Sequence, residues 1–223
     1  MTQSKLAFIH TTPVTVDPLK ALAAELLPDC DVLNFVDDSI LPELLRNGGR
    51  IEDVRERWFA YARFAEQQGA ACIVSACSSV GELAEAARLI MQVPVLRIDE
   101  AMAEAAVHRG TRIGVAATMP TTLNPTFRLL ERKAEELGSP IELTPALAEE
   151  AYERLISGDR DGHDRILAKA LLELVGKVDV VVLAQASMAR VVAALPEELQ
   201  PKFLSSPRLG MEEVARQMSE AIG

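Results

Sequence analysis

The sequence is poor in the residues that build disulfide frameworks and metal centres. Its 223 residues include only 3 cysteines and 3 histidines, namely Cys30, Cys72, Cys77, His10, His108 and His163. An odd number of cysteines cannot pair completely, and neither residue type recurs at the short spacings of metal ligands. The composition therefore excludes a disulfide scaffold, predicts no metal site and favours a reducing, cytoplasmic environment.

Excess positive charge and long apolar runs are also missing. The net charge is −10, from 23 Lys and Arg against 33 Asp and Glu, which disfavours nucleic acid and anionic membranes as partners. No apolar run approaches transmembrane length, and the start MTQSKLAFIHTTP carries no signal-peptide pattern. A glycine-rich phosphate cradle is absent too, so the sequence predicts no nucleotide cofactor.

Short apolar runs alternate with amphipathic stretches along the whole chain. The runs cover residues 5–10, 31–36, 71–76, 93–98, 112–117, 140–145, 178–184 and 202–206. Helix-like spacing lies between them, most clearly over residues 52–68 and 163–175. This alternation predicts an α/β protein, because parallel strands need helical crossovers that cover the sheet.

The two parts of the chain also match residue by residue. The segment TTPVTVDP (11–18) aligns with TMPTTLNP (118–125), with 4 of 8 positions identical, and each copy follows a short apolar strand. Each copy predicts a loop, an N-cap at Asp17 or Asn124, and a proline at the first helical position. We expect two flavodoxin- or Rossmann-like three-layer halves with parallel sheets, related by a pseudo-two-fold axis.

Under the same alignment, ACIVSACSS (71–79) lies over DVVVLAQAS (179–187), so that Cys77 falls opposite Gln185. Ser79 and Glu82 have the spacing of a capping box, which places Cys77 in a turn between a strand and a helix. Such a turn favours the thiolate, because unpaired backbone N–H groups lie nearby. The alternative is a buried, inert cysteine, as free cysteines commonly are.

The repeat predicts domain boundaries and a site. The first half spans 1–102, the second spans 103–207, and the terminal helix 208–223 packs back on the first. Strand ends of the two halves are expected to line one crevice, where threonine-rich loops and helix N-termini suit a carboxylate. The predicted substrate-binding residues are Thr11, Thr15, Ser78, Ser79, Thr118, Thr121, Thr122, Gln185, Ala186 and Ser187.

These motifs resemble the aspartate/glutamate/hydantoin racemase superfamily. The resemblance covers essentially the whole chain and rests on ACSSVGE (76–82), AATMPTTLNPT (116–126) and VVLAQASMA (181–189). It implies two similar halves, no cofactor and a cysteine at a strand end of each half. One thiolate removes the α-proton of a carboxylate substrate, and the opposite thiol returns a proton to the other face. Cys77 matches the first of these cysteines.

Gln185 stands where the second cysteine is expected, and a side-chain amide cannot act as an acid or base near neutrality. His10, at the end of the first strand, could assist Cys77 by taking its proton or stabilising its thiolate. The alternative for His10 is a capping or buried role. The catalytic residues predicted from the sequence are therefore Cys77 and His10.

The leading hypothesis is a cofactor-independent, racemase-like isomerase that acts on a small carboxylate such as an amino acid. Two alternatives stay open: a single-cysteine lyase such as arylmalonate decarboxylase, from the same superfamily, and a carboxylate-binding protein without catalysis. A lyase needs only one proton donor, since stabilisation of the enediolate can account for much of the decrease in activation free energy. The family resemblance also implies a homo-oligomer.

Overall fold

The computed structural model describes residues 4–222, and within them the chain forms eight β-strands and ten α-helices. The strands are β1 (Lys5–His10), β2 (Asp31–Val36), β3 (Ala70–Ser75), β4 (Val95–Arg97), β5 (Arg112–Ala117), β6 (Glu142–Leu147), β7 (Val180–Leu183) and β8 (Phe203–Ser205). The helices are α1 (Val16–Leu26), α2 (Ile40–Arg46), α3 (Glu52–Gln67), α4 (Gly81–Ala87), α5 (Glu100–Arg109), α6 (Pro120–Glu136), α7 (Glu149–Ile156), α8 (Arg160–Val175), α9 (Ala189–Val192) and α10 (Ser206–Ile222).

The chain divides into two compact units, each built on a four-stranded parallel sheet. Unit 1 comprises the chain up to Asp99 together with the segment from Pro207 onward, and unit 2 is Glu100–Ser206. The strand order is β2-β1-β3-β4 in unit 1 and β6-β5-β7-β8 in unit 2. Every pair is parallel. Each predicted apolar run overlaps a strand, and the predicted α/β fold is confirmed.

In unit 1, the two faces of the sheet pack against separate helices, because successive side chains of a strand point to opposite sides. One face carries Ala7, Ile9 and Ile73 and packs against α2, α3 and α4. The other carries Phe8 and Val74, among others, and packs against α1 and α10. A strand buried on both faces is apolar throughout, which explains the continuous apolar runs of the sequence.

Unit 2 repeats this layering. One face of its sheet packs against α8, whose buried residues Leu167, Leu171 and Leu174 recur at helical spacing, and against α9. The strands β5 and β7 also contact α6 and α5, respectively. Gly114 of β5 lies so close to α8 that an added Cβ would come within 2.8 Å of Leu174. The helix and sheet therefore meet without room for a side chain there.

The helices after β1 and β5 begin earlier than the sequence predicts. The first proline of each copy opens the helical segment: Pro13 begins a 3-10 helix that runs into α1, and Pro120 begins α6. Asp17 and Asn124 lie inside their helices, so their predicted N-cap roles are wrong. Each copy offers two prolines that could follow a cap, and sequence rules alone do not choose between them.

This corrected helix start makes a testable prediction for α6. Asn124 is exposed within the helix, so Asn124→Ala should leave the free energy of unfolding unchanged or raise it by up to about 0.5 kcal/mol, as alanine has the higher helix propensity. Asp159 is the matched control, because its side chain accepts a 2.8 Å hydrogen bond from Gly162 N at the start of α8. Asp159→Ala should cost about 1 kcal/mol. Urea unfolding measures both, and equal losses would restore Asn124 as a cap.

Candidate functional site

The turns that follow β3 and β7 have the same backbone conformation. Cys77 precedes the 3-10 helix Ser78–Val80 with φ −140° and ψ 123°. Gln185 precedes the 3-10 helix Ala186–Met188 with φ −131° and ψ 131°. In each unit the 3-10 turn leads directly into a short α-helix, α4 or α9. Cys77 and Gln185 therefore occupy equivalent positions at the carboxyl ends of their sheets.

The helix start after Cys77 differs from the predicted capping box. Val80, which makes no side-chain cap, precedes α4, and Cys77 itself stands at the cap of the 3-10 turn. Val80, and not the predicted Ser79, is therefore the residue that directly precedes α4. An inserted 3-10 turn moves the helix start by one residue, and the capping-box spacing does not reveal such a turn.

Cys77 differs from the other two cysteines in its surroundings. Its side chain is half-buried at the edge of an apolar cluster. Cys72 is only 1% exposed within β3, and burial raises the pKa of its thiol to about 12. Burial also raises the pKa of the Cys30 thiol, which lies in the loop before β2. Both are held as neutral thiols, which fits structural roles for these two cysteines.

Two buried hydroxyls without a hydrogen-bond partner flank Cys77. Thr11 and Ser75 are each 1% exposed, and neither hydroxyl has a partner within the described part of the chain. Ser75 pairs with Ile9 across β3 and β1, so alternation along the two strands places Thr11, Ser75 and Cys77 on one face. Ser75 was missed by the sequence analysis; its only signal is a serine inside the apolar run ACIVSA. An unpaired buried hydroxyl is costly unless a ligand or water meets it.

His10 is fully buried and engaged at both ring nitrogens. Its Nδ1 lies 2.7 Å from Thr15 Oγ1, and its Nε2 lies 3.0 Å from Asn34 Oδ1. Burial lowers the pKa of His10, although the Asn34 contact opposes this shift. A neutral ring that donates from Nε2 to Asn34 accepts the hydroxyl proton of Thr15 at Nδ1. The predicted residues His10 and Thr15 are therefore bound to each other.

The His10 ring lies on the other side of the sheet from the Cys77 side chain. It contacts the Phe8 ring, with centroids 5.7 Å apart, and Phe8 belongs to the cluster beneath α1 and α10. Cys77 packs against the opposite cluster, which includes Ile9 and Ile73. The structure thus gives His10 partners other than Cys77. Its role as a proton-transfer partner of the thiol stays a prediction.

The Gln185 side chain is fixed by the threonine loop of its own unit. Its Oε1 accepts hydrogen bonds from Thr118 N at 2.7 Å and from Thr118 Oγ1 at 3.0 Å. A backbone N–H can only donate, so the atom it meets is the amide oxygen and not the nitrogen. The two N–H donors of Gln185 Nε2 therefore point away from Thr118. Thr118 thus orients the Gln185 amide, and its predicted role in substrate binding stays a prediction.

The remaining predicted residues differ in exposure. Ser78, Ser79 and Thr122 are buried, Ala186 and Thr121 are half-buried, and Ser187 is exposed. The hydroxyl of Thr121 is buried without a partner in residues 4–222, like those of Thr11 and Ser75. Thr122 accepts a 2.9 Å hydrogen bond from Thr126 Oγ1 at its carbonyl oxygen. Thr121 therefore has a buried hydroxyl without a partner in this part of the chain, and its predicted contact with substrate stays a prediction.

The described residues contain no cluster of three or more His, Cys, Asp or Glu that could hold a metal ion. Among the helices of residues 4–222, none combines the length and the apolar character needed to cross a membrane. The strand ends of unit 1 carry the Cys77 thiol together with hydroxyls, the His10 ring and the Arg97 guanidinium, and the end of β7 in unit 2 carries the Gln185 amide. Hydroxyl and amide groups in general bind small anionic organic molecules through hydrogen bonds.

Two parallel α/β units, with a thiol at one strand end and a fixed amide at the equivalent end, define a class of α/β proteins with an internally repeated fold. The Asp/Glu/Hydantoin racemase family model matches residues 10–214, and the chain belongs to that family. The resemblance expected from the sequence motifs is confirmed. Comparison with curated proteins gives no significant match.

Solved structures of racemases share the fold. A glutamate racemase from Bacillus anthracis is 18% identical, with a TM-score of 0.77 over 99% of this chain and 84% of that one. An aspartate racemase from Picrophilus torridus is 14% identical, with a TM-score of 0.69 over 96% and 94%. An allantoin racemase from Klebsiella pneumoniae is 21% identical, with a TM-score of 0.60 over 98% and 89%. At these identities the likeness establishes the fold alone.

The buried, neutral His10 predicts a loss of stability on acidification. Its pKa in the folded protein is lowered from 6.5, so the unfolded chain binds a proton more readily as the pH falls through that value. This contribution to stability is present above pH 6.5 and is lost as the pH falls toward the lowered pKa. Urea unfolding at about pH 7.5 and pH 5.5 should show a smaller fall for His10→Gln than for the unchanged protein. An equal fall in both proteins would contradict a neutral His10.

Proposed function

We propose that the protein is a cofactor-independent isomerase that moves the α-proton of a small carboxylate by means of the Cys77 thiolate. The observation that carries this proposal is the position of Cys77, half-buried in the turn after β3, in a chain of the racemase family. Structural relatives are described as racemases of glutamate, aspartate and allantoin. Each of these molecules carries a hydrogen on a carbon next to a carbonyl group.

The chemistry asks for a base on one face of that carbon and for donors around the carboxylate. The Cys77 thiolate would take the α-proton, and the electron pair left behind would move onto the carboxylate as an enediolate. Hydrogen-bond donors stabilise this charge more strongly in the transition state than in the ground state. In unit 1, the unpartnered hydroxyl of Thr11 is the donor that we assign to the carboxylate. In unit 2, the Thr121 hydroxyl and the N–H groups of Gln185 stay predicted carboxylate donors.

The amide at Gln185 distinguishes this protein from a racemase with two thiols. It can bind a carboxylate or an enediolate, but it has no proton to exchange near neutrality. We therefore propose that Cys77 transfers protons on one face of the α-carbon. On the opposite face, no thiol is available to transfer a proton, so exchange there is slow. His10, engaged with Thr15 and Asn34, is assigned to holding the loop after β1.

A lyase is the second candidate, and the same observation favours it. Decarboxylation of a malonate derivative breaks a carbon–carbon bond, releases CO₂ and leaves the same enediolate, which then needs one proton. Cys77 as a thiol could supply that proton to one face, so this reaction does not require a second thiol. A binding protein without catalysis would use the same donors but would exchange no proton.

The assembly state, the location and the absence of a cofactor stay predictions. The sequence predicts a cytoplasmic protein that acts without a cofactor on a small carboxylate, and the family resemblance implies a homo-oligomer. The net charge of −10 limits the attraction of a free anion to the protein surface. Binding would therefore depend on donors close to the substrate. The hydroxyls and the amide named above are such donors.

Solvent exchange of the α-proton tests the function. In D₂O, the D and L forms of aspartate and glutamate, followed separately by proton NMR, should lose the α-proton signal with the protein present. Cys77→Ser should abolish the exchange, because a serine hydroxyl is a far weaker acid than a thiol. Cys30→Ser, the matched control, should retain it. Gln185→Glu should reduce exchange by about 10- to 100-fold, since a carboxylate would remove the amide donor and repel the substrate.

The same preparation, given an arylmalonate, separates the two candidate reactions. Release of CO₂ that depends on Cys77, without exchange of amino-acid protons, would establish the lyase. If neither reaction occurs although a carboxylate ligand binds, the protein is a binding protein. Exchange that persists in Cys77→Ser would contradict the role assigned to the thiol in all of these reactions.

A further inference from the structure

A buried cluster of charges lies beside the turn that follows Cys77. Arg97, at the end of β4, has a side chain only 1% exposed. Its Nε and Nη2 donate to the two carboxylate oxygens of Asp99 at 2.9 Å each, and its Nη1 donates to Glu85 Oε1 at 2.5 Å. Burial alone would lower the pKa of Arg97, but Asp99 and Glu85 outweigh burial and raise it above its usual value. The guanidinium is therefore a fixed, charged group inside unit 1.

The guanidinium occupies the space that a side chain at position 81 would need. A Cβ added to Gly81 would lie 2.3 Å from Arg97 Cζ and 2.4 Å from Nε. These distances are too short for any non-bonded contact, so the planar group rests directly against the Gly81 backbone. Gly81 has φ −58° and ψ −34°, which any residue adopts easily. Glycine is required here by the contact with Arg97 and not by backbone conformation.

Unit 2 supplies an internal comparison without this contact. Ser75 of β3 pairs with Arg97, and Leu183 of β7 pairs in the same way with Ser205. The residue equivalent to Gly81 is Ala189, which opens α9 with φ −55° and ψ −33°. A serine thus stands in place of the arginine, and an alanine in place of the glycine. The thiol-bearing unit has the arginine and glycine pair, and the amide-bearing unit has neither residue.

We propose that Arg97 is a positioning residue for Cys77, acting through its contact with Gly81. The 3-10 turn that Cys77 caps is closed by Val80 N, which donates to the Cys77 carbonyl at 3.3 Å, and by Gly81 N, which donates to the Ser78 carbonyl. A guanidinium clamped by two carboxylates holds Gly81 in place and so fixes the direction of the thiol. This inference rests on the proposed function of Cys77.

The cluster of Arg97, Asp99 and Glu85 is rigid because each of its buried charges depends on its partner. A buried arginine without its carboxylates, or a buried Asp99 without its arginine, would be an uncompensated charge in the interior. Asp99 is 1% exposed and accepts both bonds of the planar fork, an arrangement with defined geometry. The end of β4 and the start of α4 are therefore tied together next to the turn.

The test gives unit 1 the residues of unit 2. The variants are Gly81→Ala, Arg97→Ser and the double variant Gly81→Ala/Arg97→Ser, with Ala189→Gly as the control for a changed helix start in unit 2. Iodoacetamide alkylation of each cysteine is followed by mass spectrometry from about pH 6 to pH 10. The fluorescence of Trp58, the only tryptophan of the sequence and fully buried, reports folding.

In the unchanged protein, Cys77 should react faster than Cys30 and Cys72 near neutrality. If it does not, the proposed function fails, whatever the variants show. In the folded double variant, the alkylation rate of Cys77 near neutrality should fall by about tenfold. This fall corresponds to a shift of the midpoint of its pH–rate profile by about one pH unit toward higher pH. Cys30 should keep its rate, and Ala189→Gly should leave all three rates unchanged. Gly81→Ala alone keeps the charges of Arg97, Asp99 and Glu85, so a shift of the pH profile that this variant shares with the double variant reports the position of the thiol and not the loss of a cation.

If the double variant does not fold, Glu85→Gln replaces it, since this side chain is 24% exposed and the amide oxygen can still accept from Arg97. The pH profile of Cys77 should then move in the same direction by a smaller amount. A folded variant of either kind with an unchanged Cys77 rate and profile would overturn the positioning role.

Discussion

The carboxyl end of a buried parallel strand constrains everything built beyond it. The chain must leave the sheet, turn and start a covering helix, and its backbone groups must find partners within a few residues. In both units the solution after the third strand of the unit is a single 3-10 turn capped by Cys77 or Gln185. The functional groups that we propose for this protein are side chains that such turns carry.

The two units share this backbone but differ in the groups that hold it. In unit 1 the turn carries a thiol. The Arg97 guanidinium, bound to Asp99 and Glu85, packs against Gly81 directly after this turn. In unit 2 the turn carries an amide whose oxygen is fixed by Thr118. A repeated fold thus provides two equivalent positions, and each position has acquired its own supporting contacts. In the function that we propose, the thiol of unit 1 transfers the proton, and the amide of unit 2 forms hydrogen bonds only.

The sequence predicts the strands and the equivalence of Cys77 and Gln185 because apolar runs and local repeats depend on neighbouring residues. It does not predict where a helix begins when two prolines satisfy the same rule, as at Pro120 and Pro125. It also does not reveal contacts between distant segments. The bonds of His10 to Asn34 and the packing of Arg97 on Gly81 join residues that only the folded sheet brings together.

The central claim is that one thiol serves one face of the substrate, and chiral analysis of single-turnover exchange in D₂O tests it most directly. Each enantiomer of a substrate that exchanges is incubated with the protein, and deuterium incorporation is measured separately in the retained and the inverted product. The claim predicts fast exchange of one enantiomer with retention, and much slower exchange of the other. Equal rates for both enantiomers, with equal inversion, would contradict it and would require a second base in addition to Cys77.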